Sequence, residues 1–184
     1  KCHTGRKQIS SEAAIYLIFP VNGVLKSNFQ MLEELAAHDI TPIVISNQPL
    51  SPQDLESLKE KSALVIERPN VGYDFGGYRD AILELEDQIS SLTRLYVLND
   101  SVWMLDAEKS WFQAVRDAGT DFCGATSNYG IRRYSEVDFR EIEWEYTPDH
   151  WNFHYASYAF ALGHNILQEK GFLDYWKKFR LYNN

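Results

Sequence analysis

Residues 68–80, RPNVGYDFGGYRD, followed about one helix later by Leu95, Tyr96, Val97, Leu98, Asn99, Asp100 and Ser101, decide the reading of this chain. A polar loop loosened by glycines opens a helix, and a buried strand then delivers a carboxylate at its carboxyl end. In an α/β sheet this pairing builds a phosphate-and-metal site: free N–H groups at a helix start attract anions, and ligands collect beyond the carboxyl ends of strands. The two elements together point to a nucleotide-type ligand.

Outward from this block, the chain alternates strands with helices. Residues 14–19 form a continuous apolar run stopped by Pro20, which predicts a strand buried on both faces, and Asn22 and Gly23 form the loop at its carboxyl end. From Ser27 the spacing becomes helical, with Phe29, Leu32, Leu35 and Ala36 on one stripe. Residues 41–46 predict a second strand. Ser51, Pro52 and Asp54 then predict a helix start with Leu55 and Leu58 inward, and residues 64–67 a third strand. After the glycine loop, Tyr78, Ala81, Ile82 and Leu85 form the inward side of a helix, and residues 95–98 are the fourth strand. Asp106 predicts the cap of a helix through Phe112 and Val115 that Gly119 ends, and residues 121–126 a fifth strand.

This alternation predicts an α/β fold with a mostly parallel central sheet and helices on both faces. A 3-2-1-4 strand order would set the ends of strands one and four side by side, with Asn22 and Asp100 bordering one crevice. Residues 127–153 lose all periodicity and mix polar, aromatic and acidic side chains, as a flap or acceptor-binding insert does. Residues 155–162 predict another strand, and Asn165 the cap of a last helical region through Trp176 and Phe179.

Composition bounds the class. The 184 residues fit a single domain, 1–184, able to bury roughly 70% of its unfolded surface. Aromatic residues at 14% exceed what a core needs and hint at sugar or base stacking. A formal charge of −8 without a dense basic cluster argues against nucleic acid as a partner. Cys2 and Cys123 do not form a disulfide framework, which points to a reducing cytoplasm. No apolar run approaches the roughly 20 residues of a membrane span, and KCHTGRKQISSE lacks a secretory hydrophobic stretch, so a soluble chain able to work beside a membrane is expected. Its ends read as those of a domain cut from a longer protein. Ser-His-Asp, zinc-cysteine and Walker patterns are absent.

Four blocks, in order and spread over most of the chain, carry a family likeness: RPNVGYDFGGYRD (68–80), LYVLNDSVWM (95–104), DFCGATSN (121–128) and HYASYAFAL (154–162), trailed by Tyr175 and Trp176. In these the chain resembles the rhamnan synthesis protein F family, glycosyltransferase-like proteins of bacterial cell-surface polysaccharide assembly. The resemblance implies a Rossmann-like GT-A fold that binds a nucleoside-diphosphate sugar, usually through a divalent metal, manganese or magnesium. It further implies transfer to a saccharide or lipid-linked acceptor of rhamnan or lipopolysaccharide type at the inner face of the membrane. One departure stands out: where GT-A enzymes end the fourth strand in Asp-x-Asp, this chain has Asn99, Asp100 and Ser101, a single carboxylate. That leaves open a second reading, a non-catalytic carbohydrate-binding or assembly module.

The site residues follow. Asp100 is the leading metal ligand, because a carboxylate-held hard cation neutralises a departing diphosphate; its alternative is a helix or turn cap. Asn99 is read as a ribose, phosphate or metal-water contact, or as a loop-satisfying side chain. Gly72, Gly76 and Gly77 permit close backbone approach to an anion, or simply a tight turn into the helix. Asn70 and Asp74 share that segment, with Asp74 placed to bind a ribose or sugar hydroxyl. Arg79 pairs either with phosphate or, structurally, with Asp74 or Asp80. By resemblance, Pro20 and Asn22 sit where the base and ribose are cradled, with an ordinary Pro and Asn turn as the alternative, and His154 is a late metal ligand whose imidazole would favour manganese, or else a hydrogen-bonded structural residue. An inverting transfer needs a base near the acceptor hydroxyl, for which Asp138 or Glu145 is the choice; a retaining mechanism stays open.

Overall fold

A computed structural model of the chain describes residues 1–103, 108–128 and 153–181. Its elements run β1 (Cys2–Thr4), β2 (Glu12–Ile18), α1 (Lys26–Ala37), β3 (Thr41–Ser46), α2 (Pro52–Lys61), β4 (Leu64–Glu67), α3 (Tyr73–Glu84) and α4 (Glu86–Ile89). After these come β5 (Arg94–Asn99), α5 (Trp111–Ala118), β6 (Phe122–Gly124), β7 (Ser127–Asn128), β8 (His154–Tyr155), β9 (Ala159–Gly163), α6 (His164–Gln168) and α7 (Lys170–Lys178).

Along β2 successive side chains enter two different cores. Ala13, Ile15 and Leu17 pack with Tyr78 and Ile82 of α3 and Trp176 of α7, whereas Ala14, Tyr16 and Ile18 pack with Leu32 and Leu35 of α1 and Phe112 of α5. This is the two-residue period of the pleat, and a strand covered on both faces has to be apolar at every position. Ile15 is fully buried, so truncating it to alanine is expected to cost about 2–5 kcal/mol. Helices therefore cover both faces, as expected.

Among the described residues, one sheet has the order β1-β4-β3-β2-β5-β9-β6. Its centre, β4-β3-β2-β5, is the expected 3-2-1-4 arrangement, and these pairings are parallel. The sheet as a whole is mixed, which corrects the mostly parallel expectation: β1 runs antiparallel to β4, and β9 antiparallel to both β5 and β6. A strand buried on both faces has the same apolar pattern in either direction, so only the path of the connections fixes its sense.

Local signals acted much as their chemistry requires. Ser51 Oγ accepts the Asp54 N–H at 3.1 Å to start α2 behind Pro52. Ser110 Oγ does the same for Gln113 in α5, while Asp106, the expected cap, lies outside the described residues. Gly119 ends α5 at φ 62°, the left-handed conformation that glycine adopts without penalty. The expected 155–162 strand is two pieces, β8 and β9, separated by a turn. The last helical region starts at His164 and breaks at Glu169, and Asn165 donates from Nδ2 to Asp121 Oδ2 at 2.9 Å instead of capping.

Candidate functional site

The carboxyl ends of β2 and β5 lie side by side, with Leu17 opposite Asn99. The Asp100 N–H donates to the Leu17 carbonyl at 3.0 Å, and the Phe19 N–H donates to Asp100 Oδ2 at 2.8 Å, so this carboxylate is stitched to the end of β2. It faces a pocket of about 380 Å³ lined by Leu17, Phe19, Asn47, Asn70, Tyr73, Asp74, Asp100 and Ser101. Burial raises the Asp100 pKa above the ordinary carboxylate range; backbone N–H groups, including that of Phe19, pull it back, and the Asp74 charge pushes it further up.

The 68–80 block forms the adjoining wall. Arg68 is buried and each of its three guanidinium nitrogens is engaged: Nε donates to Asp80 Oδ2 at 2.7 Å, Nη1 to Asn47 Oδ1 at 2.7 Å and Nη2 to the Val71 carbonyl at 2.6 Å. Asn47 Nδ2 donates in turn to Asn70 Oδ1 at 2.9 Å and more weakly to the Tyr73 carbonyl at 3.4 Å. Gly72 at φ 72° and Tyr73 at φ 50° turn the chain into α3. A left-handed tyrosine costs about 1–3 kcal/mol and persists only because the surrounding network holds it, which places stored strain at the pocket rim. A Cβ on Gly76 would lie 2.1 Å from the Val71 carbonyl oxygen, so the turn can fold onto α3 only if residue 76 has no side chain.

Of the residues singled out from the sequence, Asn70, Asp74 and Asp100 meet in the pocket. Asn99 is buried just behind it, donating from Nδ2 to Asp74 Oδ2 at 2.8 Å and accepting the Ser101 N–H on Oδ1 at 3.0 Å. Gly76 and Gly77 are packed against protein, the former on Val71 and the latter on Leu17. Arg79 takes the structural option, donating from Nε to the Trp176 carbonyl at 3.1 Å and from Nη1 to Asp80 Oδ1 at 3.2 Å. Pro20 is buried and Asn22 exposed beyond β2, and neither lines the pocket. His154 is exposed on β8 opposite Asn128 and is likewise not part of the lining. Asp138 and Glu145 lie outside the described residues, as does most of the irregular 127–153 segment.

Two residues escaped the sequence reading, Asn47 and Arg68. Asn47 had a usable signal, since it directly follows the buried strand β3 at its carboxyl end, as Asp100 follows β5. Arg68 had none, because the chain does not show which arginine of the block turns inward.

A second depression of about 340 Å³ is almost wholly apolar, lined by Phe75, Tyr155, Phe160, Phe172, Tyr175 and Trp176 among others. Asp74 and Phe75 are consecutive, so the first turn of α3 contributes to both hollows. Among the described residues, no helix is long and apolar enough to cross a membrane.

A family model described as rhamnan synthesis protein F matches residues 42–184. A curated relative from Sinorhizobium fredii (strain NBRC 101917 / NGR234), named "Uncharacterized protein y4gN", is 34% identical over 181 residues, covering 98% of this chain and 43% of the relative. The chain thus spans less than half the length of that relative. No solved structure matches the chain.

Proposed function

The chain belongs to the rhamnan synthesis protein F family, and we propose that it is a cytoplasmic glycosyltransferase domain of GT-A type, moving a sugar from a nucleoside-diphosphate donor to a surface-polysaccharide or lipid-linked acceptor. The observation that carries this reading is the meeting of separate chain turns, at Phe19, Asn47, Asn70 to Asp74 and Asp100, around one polar pocket beyond the strand ends. In this reading Asn70 and Asp74 bind hydroxyls of the donor, and the exposed Tyr73 ring offers a face for the base. Asp138 or Glu145 would serve as the acceptor-side base of an inverting transfer.

The donor set bears on a metal. Among the described residues the pocket offers the carboxylates of Asp74 and Asp100 with the hydroxyls of Tyr73 and Ser101, and no cluster of three metal-binding side chains. That fits a magnesium- or manganese-type ion, which keeps waters and takes further oxygens from substrate phosphates. Asp100 would hold the ion, which when bound would neutralise charge on the departing diphosphate. A carboxylate whose ionised form is penalised by burial gains from a cation beside it.

The small number of carboxylates also favours a second reading, a carbohydrate-binding module without turnover. Titration of the chain with UDP-, dTDP- and GDP-sugars, with and without magnesium or manganese, tests the first. Cation-dependent binding that weakens at least about tenfold in Asp100→Ala is expected, together with slow donor hydrolysis. Cation-dependent binding unchanged by Asp100→Ala would refute the metal assignment, and binding without hydrolysis or transfer would favour the second reading.

A further inference from the structure

We infer that Arg68, which does not line the pocket, sets the hydrogen-bond polarity of its floor through Asn47, so that Asn70 is held as a donor beside the acceptor Asp74 and the two together read a vicinal diol of the ligand. The inference rests on the nucleotide-sugar reading above for the identity of that ligand. The chemistry forces each step. A guanidinium can only donate, so the Asn47 atom 2.7 Å from Arg68 Nη1 must be the carbonyl oxygen. Asn47 then turns its Nδ2 toward Asn70 and the Tyr73 carbonyl, so the Asn70 atom 2.9 Å away must be Oδ1. With Oδ1 given to Asn47, the group that Asn70 has left for the pocket it lines is its Nδ2 donor.

A parallel chain fixes Asp74. The Ser101 backbone N–H can only donate, so it claims Asn99 Oδ1 at 3.0 Å and leaves Asn99 Nδ2 for Asp74 Oδ2 at 2.8 Å. Asp74 is thus stabilised as an acceptor by a neutral amide, and four residues along the same turn an amide is stabilised as a donor. One hydroxyl of a diol donates to the carboxylate while its neighbour accepts from the amide. A lone hydroxyl satisfies half of this arrangement, and a phosphate oxygen meets repulsion from Asp74.

The diol has two sources in a nucleotide sugar, the ribose and the transferred sugar, and two ligand pairs separate them. Dissociation constants are measured for UDP against 2′-deoxy-UDP, and for UDP-glucose against UDP-2-deoxyglucose, with the unaltered chain and with Asn70→Asp, which is isosteric but replaces the donor by an acceptor. One pair is expected to show a preference of about tenfold for the hydroxylated member, collapsing toward unity in Asn70→Asp while the thermal midpoint stays close to that of the unaltered chain. Equal binding within both pairs, or a preference that survives Asn70→Asp, overturns the inference. A chain that binds none of these four ligands and none of the dTDP- and GDP-sugars either sinks the nucleotide-sugar reading instead. The relay is then judged by side-chain amide signals alone: exchange protection of the Asn47 NH₂ pair that is lost in Arg68→Met, which removes the donor, sustains it, and protection equal in both overturns it.

Discussion

Replacing Gly76 by alanine should destabilise the chain although alanine is the better helix former. Gly76 sits in α3, where the exchange alone would gain about 1 kcal/mol. The new Cβ, however, would stand 2.1 Å from the Val71 carbonyl oxygen and 2.8 Å from Arg68 Nη2. Ordinary contact needs about 3.5 Å, so the 68–73 turn has to retreat by more than about 1 Å. That retreat pulls the Val71 carbonyl off Arg68 Nη2, a 2.6 Å charge-assisted bond worth about 1.5–3 kcal/mol, and adds an overpacking cost of about 1–3 kcal/mol. After the propensity gain, the expected net loss is about 1.5–5 kcal/mol, or a fall of about 3–20 °C in thermal midpoint for a chain of this size. Urea unfolding and calorimetry measure both. Gly171→Ala is the control: it lies in α7 with nothing within 4 Å of its would-be Cβ, and should raise stability by about 0.5–1 kcal/mol. If the two variants unfold alike, the glycine is not serving the packing of this turn.

Three further outcomes are expected. Asn99→Asp would set a carboxylate against Asp74 in place of a 2.8 Å amide donor; a loss of about 1–3 kcal/mol at neutral pH, shrinking in acid as the pair takes up a proton, should appear in urea titrations at both pH values. Burial lifts the folded-state pKa of Asp100 above its unfolded value, so its ionised form detracts from stability above the folded pKa and the penalty vanishes below the unfolded one. Asp100→Asn should therefore raise the thermal midpoint at pH 7, with the gap closing as pH falls through the carboxylate range; a constant gap would contradict that cause. Ser110→Ala, which removes the acceptor for the Gln113 N–H, should cost about 1 kcal/mol by equilibrium unfolding.

The α/β character and the polar turns that carry Asn70, Asp74 and Asp100 were legible in the sequence because each follows from rules acting over a few residues, and the central strand order because parallel crossovers leave few arrangements of alternating strands and helices. Apolar runs of strand length, the Ser51 cap and the left-handed Gly119 report themselves locally, and strand ends in such sheets share a rim. The reversed sense of β9 was not legible, since two-sided burial erases direction from the pattern. Nor were the arginine roles. Arg68 and Arg79 stand in one block and both donate to Asp80, and what separates them is distant in the chain: Asn47 at the end of β3 claims Arg68, and the carbonyl of Trp176 in α7 claims Arg79. Local pattern and turn chemistry thus determined which segments form strands, helices and polar turns. Only the packing of remote elements decided which polar groups are spent on one another and which are left facing the pocket, because a hydrogen bond's partner is chosen by position in space and not by spacing along the chain.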